Sequence, residues 1–434
     1  MTDRSILEDR LSVLEQSLNR VKDPSSWKTR LDLHNVEVED RIWNRVVMDI
    51  LREVDRISTQ LTVVKNQVSA GNSDPTHWRQ YNQIYWASQE LFRDSLELFG
   101  GLALRDKLLD TEICQLTDEL ILNCSDGMIT TASPTIPAHL ELPPRILRRV
   151  VRMRFQEWTI WTLPLAAHEF GHIAIEETDE LKGYCTEQAN RMVQAETAPG
   201  SDAPASAERL QHVTRCVKIL MADAFATYTL GPAYACPALL LQLDPIANDS
   251  GAKFEPSGAQ RAELILGILE GMGQSGDDDE NAFAIVLKQL RDRWDPICQP
   301  DTDAGPVLDP GDVLDIFGKE LYDFRPAVRY PIDRTREDTY GGWYVARQWE
   351  GYWQSAIKNL TGKLTVPPSV QATSKLRDGL NAAWLCRLRT NPEMLTYIET
   401  AAQELCMEII NTRAAPKRGS GRRSANVGSK SKVR

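Results

Sequence analysis

Along the first 70 residues, apolar side chains recur in alternating steps of four and three. Leu7, Leu11, Leu14, Leu18 and Val21 form one such row. Trp43, Val47, Ile50, Val54, Ile57, Leu61, Val64 and Val68 form a second. This spacing keeps one stripe of a helix turned toward a partner, so both rows predict coiled-coil-like helices. The seam can close inside the chain as a hairpin or between chains as a dimer. The segment "VKDPSSW" (21–27) breaks the pattern between the rows, which favours the hairpin.

Beyond "AGNSDP" (70–75), which reads as a linker, helical spacing resumes through "WRQYNQIYWASQELFRDSLELF" and is expected to stop at Gly100 and Gly101. Further helices are expected near 106–123 and 145–158, on either side of "SPTIPAHLELPP" (133–144), whose prolines disfavour a long helix. Turn residues mark loops at 198–207, 274–281 and 298–312, and the stretch 313–412 reads again as mostly helical. There is no internal repeat and no convincing run of alternating strands, so the fold class is mainly α.

One apolar segment breaks its own rule. "LPLAAHEFGHIAIEE" (163–177) carries His168, Glu169 and His172 among hydrophobic residues, with Pro164 suited to the first helical turn. Unpartnered polar groups in such a setting cost several kcal/mol. On a helix, His168 and His172 lie one turn apart on one face. Two imidazoles so presented can share one Zn²⁺, and Glu169 beside them can take a proton from water. This is the HExxH arrangement. The competing reading is a helix with two satisfied core histidines, each of which would need its own buried partner.

A catalytic zinc needs a third protein ligand. "HVTRCVKILMADAFATYTLGPAY" (212–234) predicts a helix ended by Gly231 and Pro232, and it buries Asp223 in an apolar run. A buried carboxylate requires a cation, which makes Asp223 the leading candidate. Its alternative role is to accept the second N–H of a ligand histidine. His212 lies eleven residues earlier, about 16 Å along the helix axis, so both cannot bind one ion. Glu187 and Glu196 remain in reach, whereas Glu176 sits one turn too far along the first helix. Tyr228, Tyr234, His139 and His212 are available as donors to an oxyanion. Arg261 belongs either to a core-packing helix or near the substrate path or a carboxylate of the site.

The pair "AAHEFGHIA" and "ADAFATYTLGPAY" resembles HExxH metallopeptidases of the gluzincin type. The resemblance covers roughly 60 to 80 residues, by the extent of the two motifs, and its second half is much less specific than its first. It implies a zinc peptidase whose third ligand comes from a pattern such as E-x-x-A-D. Ile219 stands where those enzymes place Glu, so the resemblance implies either that Asp223 coordinates one turn on, as in aspartate-type zincins, or that the site is altered. The expected organisation is a coiled-coil-like module (1–70), a zincin-like catalytic domain (76–290), a C-terminal helical region (291–415) and a disordered basic tail (416–434).

Composition narrows the partners. The formal charge of -11 argues against general nucleic-acid binding. The tail "KRGSGRRSANVGSKSKVR" carries seven Lys and Arg and no acid, and it reads as a solvated terminus, with nucleic acid or acidic lipid as the alternative contact. Eight scattered cysteines without CxxC pairs argue against a disulfide framework or a cysteine-ligated zinc ribbon. With no signal-peptide layout and no credible membrane span, a cytoplasmic setting is expected. "GDDDE" lacks an EF-hand pattern and reads as a solvated loop. Trp349, Tyr352 and Trp353 read as core or as the lining of a peptide groove.

Two functions follow. The first is a zinc metallopeptidase that hydrolyses a protein or peptide substrate, with Glu169 as general base and His168, His172 and Asp223 on the metal. The second is a non-enzymatic helical interaction protein that self-associates or binds a partner through its N-terminal helices, with a structural or degenerate zinc site. Zinc hydrolysis of a non-peptide bond is a third class.

Overall fold

The N-terminal seam closes inside the chain. In the computed structural model, which describes residues 3–21, 36–70, 75–107, 111–125, 135–137, 151–153, 159–196, 207–245, 256–273, 283–298, 307–324, 375–390 and 392–414, the first three helices pack together. They are α1 (Asp3–Val21), α2 (Val36–Ser69) and α3 (Pro75–Lys107). Leu7, Leu11, Leu14 and Leu18 of α1 are buried with Ile50, Val54, Ile57, Leu61, Val64 and Val68 of α2. Tyr81, Ile84 and Leu91 of α3 complete the cluster, which therefore extends past residue 70. Lys65 of α2 reaches Glu15 of α1 at 2.5 Å across the seam. Such a half-exposed pair contributes little beside the apolar burial.

Two expectations along the next stretch are corrected. The helix expected to stop at Gly100 and Gly101 continues to Lys107. Glycine inside a helix costs only about 1 kcal/mol, so it ends a helix only where the chain also turns. The helix expected at 145–158 is absent at 151–153, where β2 (Val151–Met153) pairs in parallel with β1 (Thr135–Pro137). Val151, Met153 and Phe155 alternate with Arg152 and Arg154, a period of two that fits a strand better than a helix. Helix α4 (Thr111–Ser125) precedes this pair. The chain is mainly α, and this short ladder is its only sheet among the described residues.

A second apolar cluster runs from Ile113 to Ile409. A 3₁₀ turn (Leu163–Leu165) leads into α5 (Ala166–Glu177), followed by α6 (Asp179–Glu196) and α7 (Ala207–Leu230). The short α8 (Pro232–Pro237) runs into a π turn (Ala238–Gln242). Then come α9 (Gly258–Gly273), α10 (Ala284–Trp294), α11 (Pro310–Phe324), α12 (Leu376–Arg389) and α13 (Leu395–Ala414).

Helix α7 is the axis of this body, packed by α5, α6, α9 and α11. Every residue from Leu220 to Thr227 is buried, as expected of a helix covered on all sides. Helices α12 and α13 share the same core, with Trp384 among its largest fully buried side chains. Helix α9 receives α11 through Gly267 and Gly271, where a Cβ would meet Pro310 and Leu314. No disulfide joins any of the eight cysteines. Among the described residues no helix is long and apolar enough to cross a membrane. His139, the aromatic stretch around Trp349, Tyr352 and Trp353, the acidic loop at 274–281 and the basic tail lie outside the described residues.

Candidate functional site

The 163–177 segment is built as its sequence predicts. Pro164 lies in the 3₁₀ turn, and α5 then carries His168 and His172 one turn apart. Their rings meet edge to face with centroids 4.8 Å apart, and the two Nε2 atoms stand 3.2 Å from each other. His168 is buried, while Glu169 and His172 are half-buried.

What His168 faces on its other side is Asp223. The imidazole Nδ1 lies 2.7 Å from Asp223 Oδ1, and Asp223 is fully buried. This contact depends on Gly171, since a Cβ there would stand 3.0 Å from both the Cα and the carbonyl oxygen of Ala222. A bare glycine between the two histidines thus lets α5 lie close enough on α7 for the ring to reach the carboxylate.

Three further hydrogen bonds converge on Asp223. Arg261 of α9 donates from Nε to Oδ2 at 2.6 Å and from Nη2 to Oδ1 at 2.8 Å. The Tyr234 hydroxyl of α8 donates to Oδ1 at 2.5 Å. Tyr234 reaches back because the chain reverses at Gly231 (φ 61°, ψ −137°), backbone angles that a side chain at this position would strain. Asn381 of α12 splints the same reversal. It accepts from the Ala233 N–H at 2.8 Å and donates to the Leu230 carbonyl at 3.0 Å.

The charges follow from these contacts. Burial would raise the Asp223 carboxyl, but Arg261 and then His168 hold it far below the usual carboxylate range. Burial, reinforced by Asp223, raises the Tyr234 phenol well above its ordinary value, so it keeps its proton and donates. His172 is lowered to about 3, first by burial and then by His168, against an opposing pull from Glu169 and Asp223. It is therefore a neutral imidazole at neutral pH.

The remaining candidates are elsewhere. Glu176 pairs with Lys218 and, at 3.4 Å, with Lys182. Glu187 is exposed and bound to Arg191 at 2.5 Å on α6, and the side chain of Glu196 is outside the described set. His212 lies with its Nε2 3.8 Å from Cys216 Sγ, and Tyr228 packs on Phe317 at 5.4 Å between ring centroids.

The structure thus brings together His168, Glu169, His172, Asp223, Tyr234 and Arg261. Asp223 lies on the Nδ1 side of His168, away from the Nε2 pair, with both oxygens engaged. Arg261 meets a carboxylate of the site, one of the two roles open to it from sequence. Among the described residues, no group of three or more His, Cys, Asp or Glu side chains is arranged to hold a metal ion. Sequence reasoning missed Asn381 altogether. The only hint was Gly-Pro after a buried helix, which marks a reversal needing outside partners.

Compared with known protein families, curated proteins and solved structures, the chain shows no match.

Proposed function

We propose that this protein is a zinc-dependent metallopeptidase in which His168 and His172 hold the ion and Glu169 is the general base. The observation that carries this reading is the pair of Nε2 atoms 3.2 Å apart, with His168 backed by a carboxylate at Nδ1. Two nitrogens at that separation can both lie about 2.0–2.1 Å from one point, the usual Zn–N distance. A ligand histidine that gives its other N–H to a carboxylate is the common outer arrangement of zinc sites. Asp223 takes that orienting role in this reading, in place of the third-ligand role.

When bound, zinc would supply Lewis acidity, polarising a carbonyl and bringing the pKa of water toward neutrality. The chain's own residues do the rest. Burial keeps His172 neutral, so its ring has a lone pair to offer. The Glu169 carboxylate takes a proton from the attacking water as the C–O bond forms. It returns that proton to the amine nitrogen as the C–N bond breaks.

One observation favours the second reading, a non-enzymatic helical interaction protein with an altered site. Ile219 is half-buried where the gluzincin-type pattern has its ligand Glu, and catalytic zinc needs a third protein donor.

Zinc content per chain by elemental mass spectrometry, on protein purified without added metal, separates the two. The enzyme reading expects about one zinc per chain. It also expects Glu169→Gln to keep that zinc while peptide hydrolysis falls roughly 10²–10⁴-fold. A wild type that holds no zinc and takes up none when it is added leaves the helical scaffold.

A further inference from the structure

Four helices meet at one carboxylate. Asp223 of α7 receives His168 from α5, Tyr234 from α8 and Arg261 from α9, and it has no solvent exposure. The Arg261 contact is bidentate, with Nε on one oxygen and Nη2 on the other. A planar fork of this kind fixes the plane of the carboxylate as well as its position. The Tyr234 hydroxyl adds a second direction, onto the same Oδ1 that faces His168, and it also stands 3.5 Å from Nδ1 itself. The carboxylate can then neither rotate nor withdraw, and its acceptor stays aimed at Nδ1. An unprotonated Nδ1 at 2.7 Å would set lone pair against lone pair, so this nitrogen carries the hydrogen. In the neutral ring the lone pair of His168 is then on Nε2, toward His172.

We propose that Arg261 and Tyr234 are positioning residues that act through Asp223 to hold His168 as its Nδ1–H tautomer, with Nε2 presented for a metal. The proposal rests on the zinc reading above and extends it to residues that touch neither the ion nor the substrate. It also accounts for the placement of Asp223, which is withheld from the ion because its oxygens are occupied.

The test uses the full chain with Arg261→Gln, Arg261→Lys and Tyr234→Phe. The tautomer of His168 is read by ¹⁵N NMR of zinc-free protein, and zinc affinity by competition with a chelator. Wild type should show a single tautomer, Nδ1–H. Arg261→Gln should show mixed tautomers and bind zinc about 10–100-fold more weakly, the usual cost of losing an outer hydrogen-bond partner. Arg261→Lys should fall between the two, because a point charge cannot grip both oxygens. Tyr234→Phe should shift both readouts the same way by less, and it decides the matter should Arg261→Gln not fold.

A merely structural role would lower stability without moving the tautomer. Folded variants with wild-type tautomer and zinc affinity overturn the proposal, as does an Nε2–H tautomer in wild type. If wild type takes up no zinc, the metallopeptidase reading fails, while the zinc-free tautomer still decides the positioning roles.

Discussion

Gly171 lies against Ala222 so closely that a Cβ on the glycine would stand 3.0 Å from backbone atoms of its neighbour. On an open helix face, alanine would be the better residue by about 1 kcal/mol. Here the sign reverses, because the neighbour's backbone cannot yield without moving α7. Gly171→Ala is expected to destabilise the protein by about 1–3 kcal/mol in urea denaturation, the usual range for overpacking. A stabilised Gly171→Ala would mean that α5 and α7 do not approach as described.

Asn381 spans the break between α7 and α8. Leucine has a similar size but leaves the Leu230 carbonyl and the Ala233 N–H, both buried, without this partner. At about 1–3 kcal/mol for each orphaned group, Asn381→Leu should cost about 2–5 kcal/mol in chemical denaturation. Asn381→Asp retains the acceptor for Ala233 and loses the donor to Leu230. If leucine proves neutral, the splint is not formed.

His172 sets an acid limit on the zinc-free protein. Its folded pKa, about 3, lies below the ordinary 6.5, so the unfolded chain binds a proton that the folded chain refuses. Its contribution is therefore fully present above pH 6.5 and is lost progressively as pH falls toward 3. The loss should reach about 2 kcal/mol by pH 5. Urea midpoints taken between pH 7 and pH 5 should fall in wild type and flatten in His172→Gln. Equal slopes in the two proteins would show that His172 does not carry the effect.

Some of this architecture was readable residue by residue. The rows through Leu7–Leu18 and Ile50–Val68 predicted a seam, and the same residues are buried in one cluster. Trp43 and Val47, at the start of the second row, have side chains outside the described set. The strand at Val151–Met153 was not read. Its alternation is short, and a three-residue strand is set by its partner as much as by its own sequence. The hairpin was favoured over the dimer only by a break between the rows. The third helix joins the seam through Tyr81, Ile84 and Leu91, with serines at Ser88 and Ser95 in the same four-three spacing, which hides its row from a search for apolar residues.

The spacing of His168 and His172 determined by itself that two imidazoles would share a helix face, because i and i+4 fall together on any α-helix. Their apolar flanks likewise determined that α5 would be buried. The sequence also marked Asp223 as a buried carboxylate in need of a cation and favoured zinc over a protein side chain. That choice belongs to tertiary structure. Arg261 lies 38 residues from Asp223, and Asn381 lies 148 residues from the Ala233 amide that it receives. No local periodicity encodes such pairs. They are decided by how closely helices pack, and here a missing Cβ at Gly171 lets Asp223 meet a histidine ring, with a guanidinium as its cation.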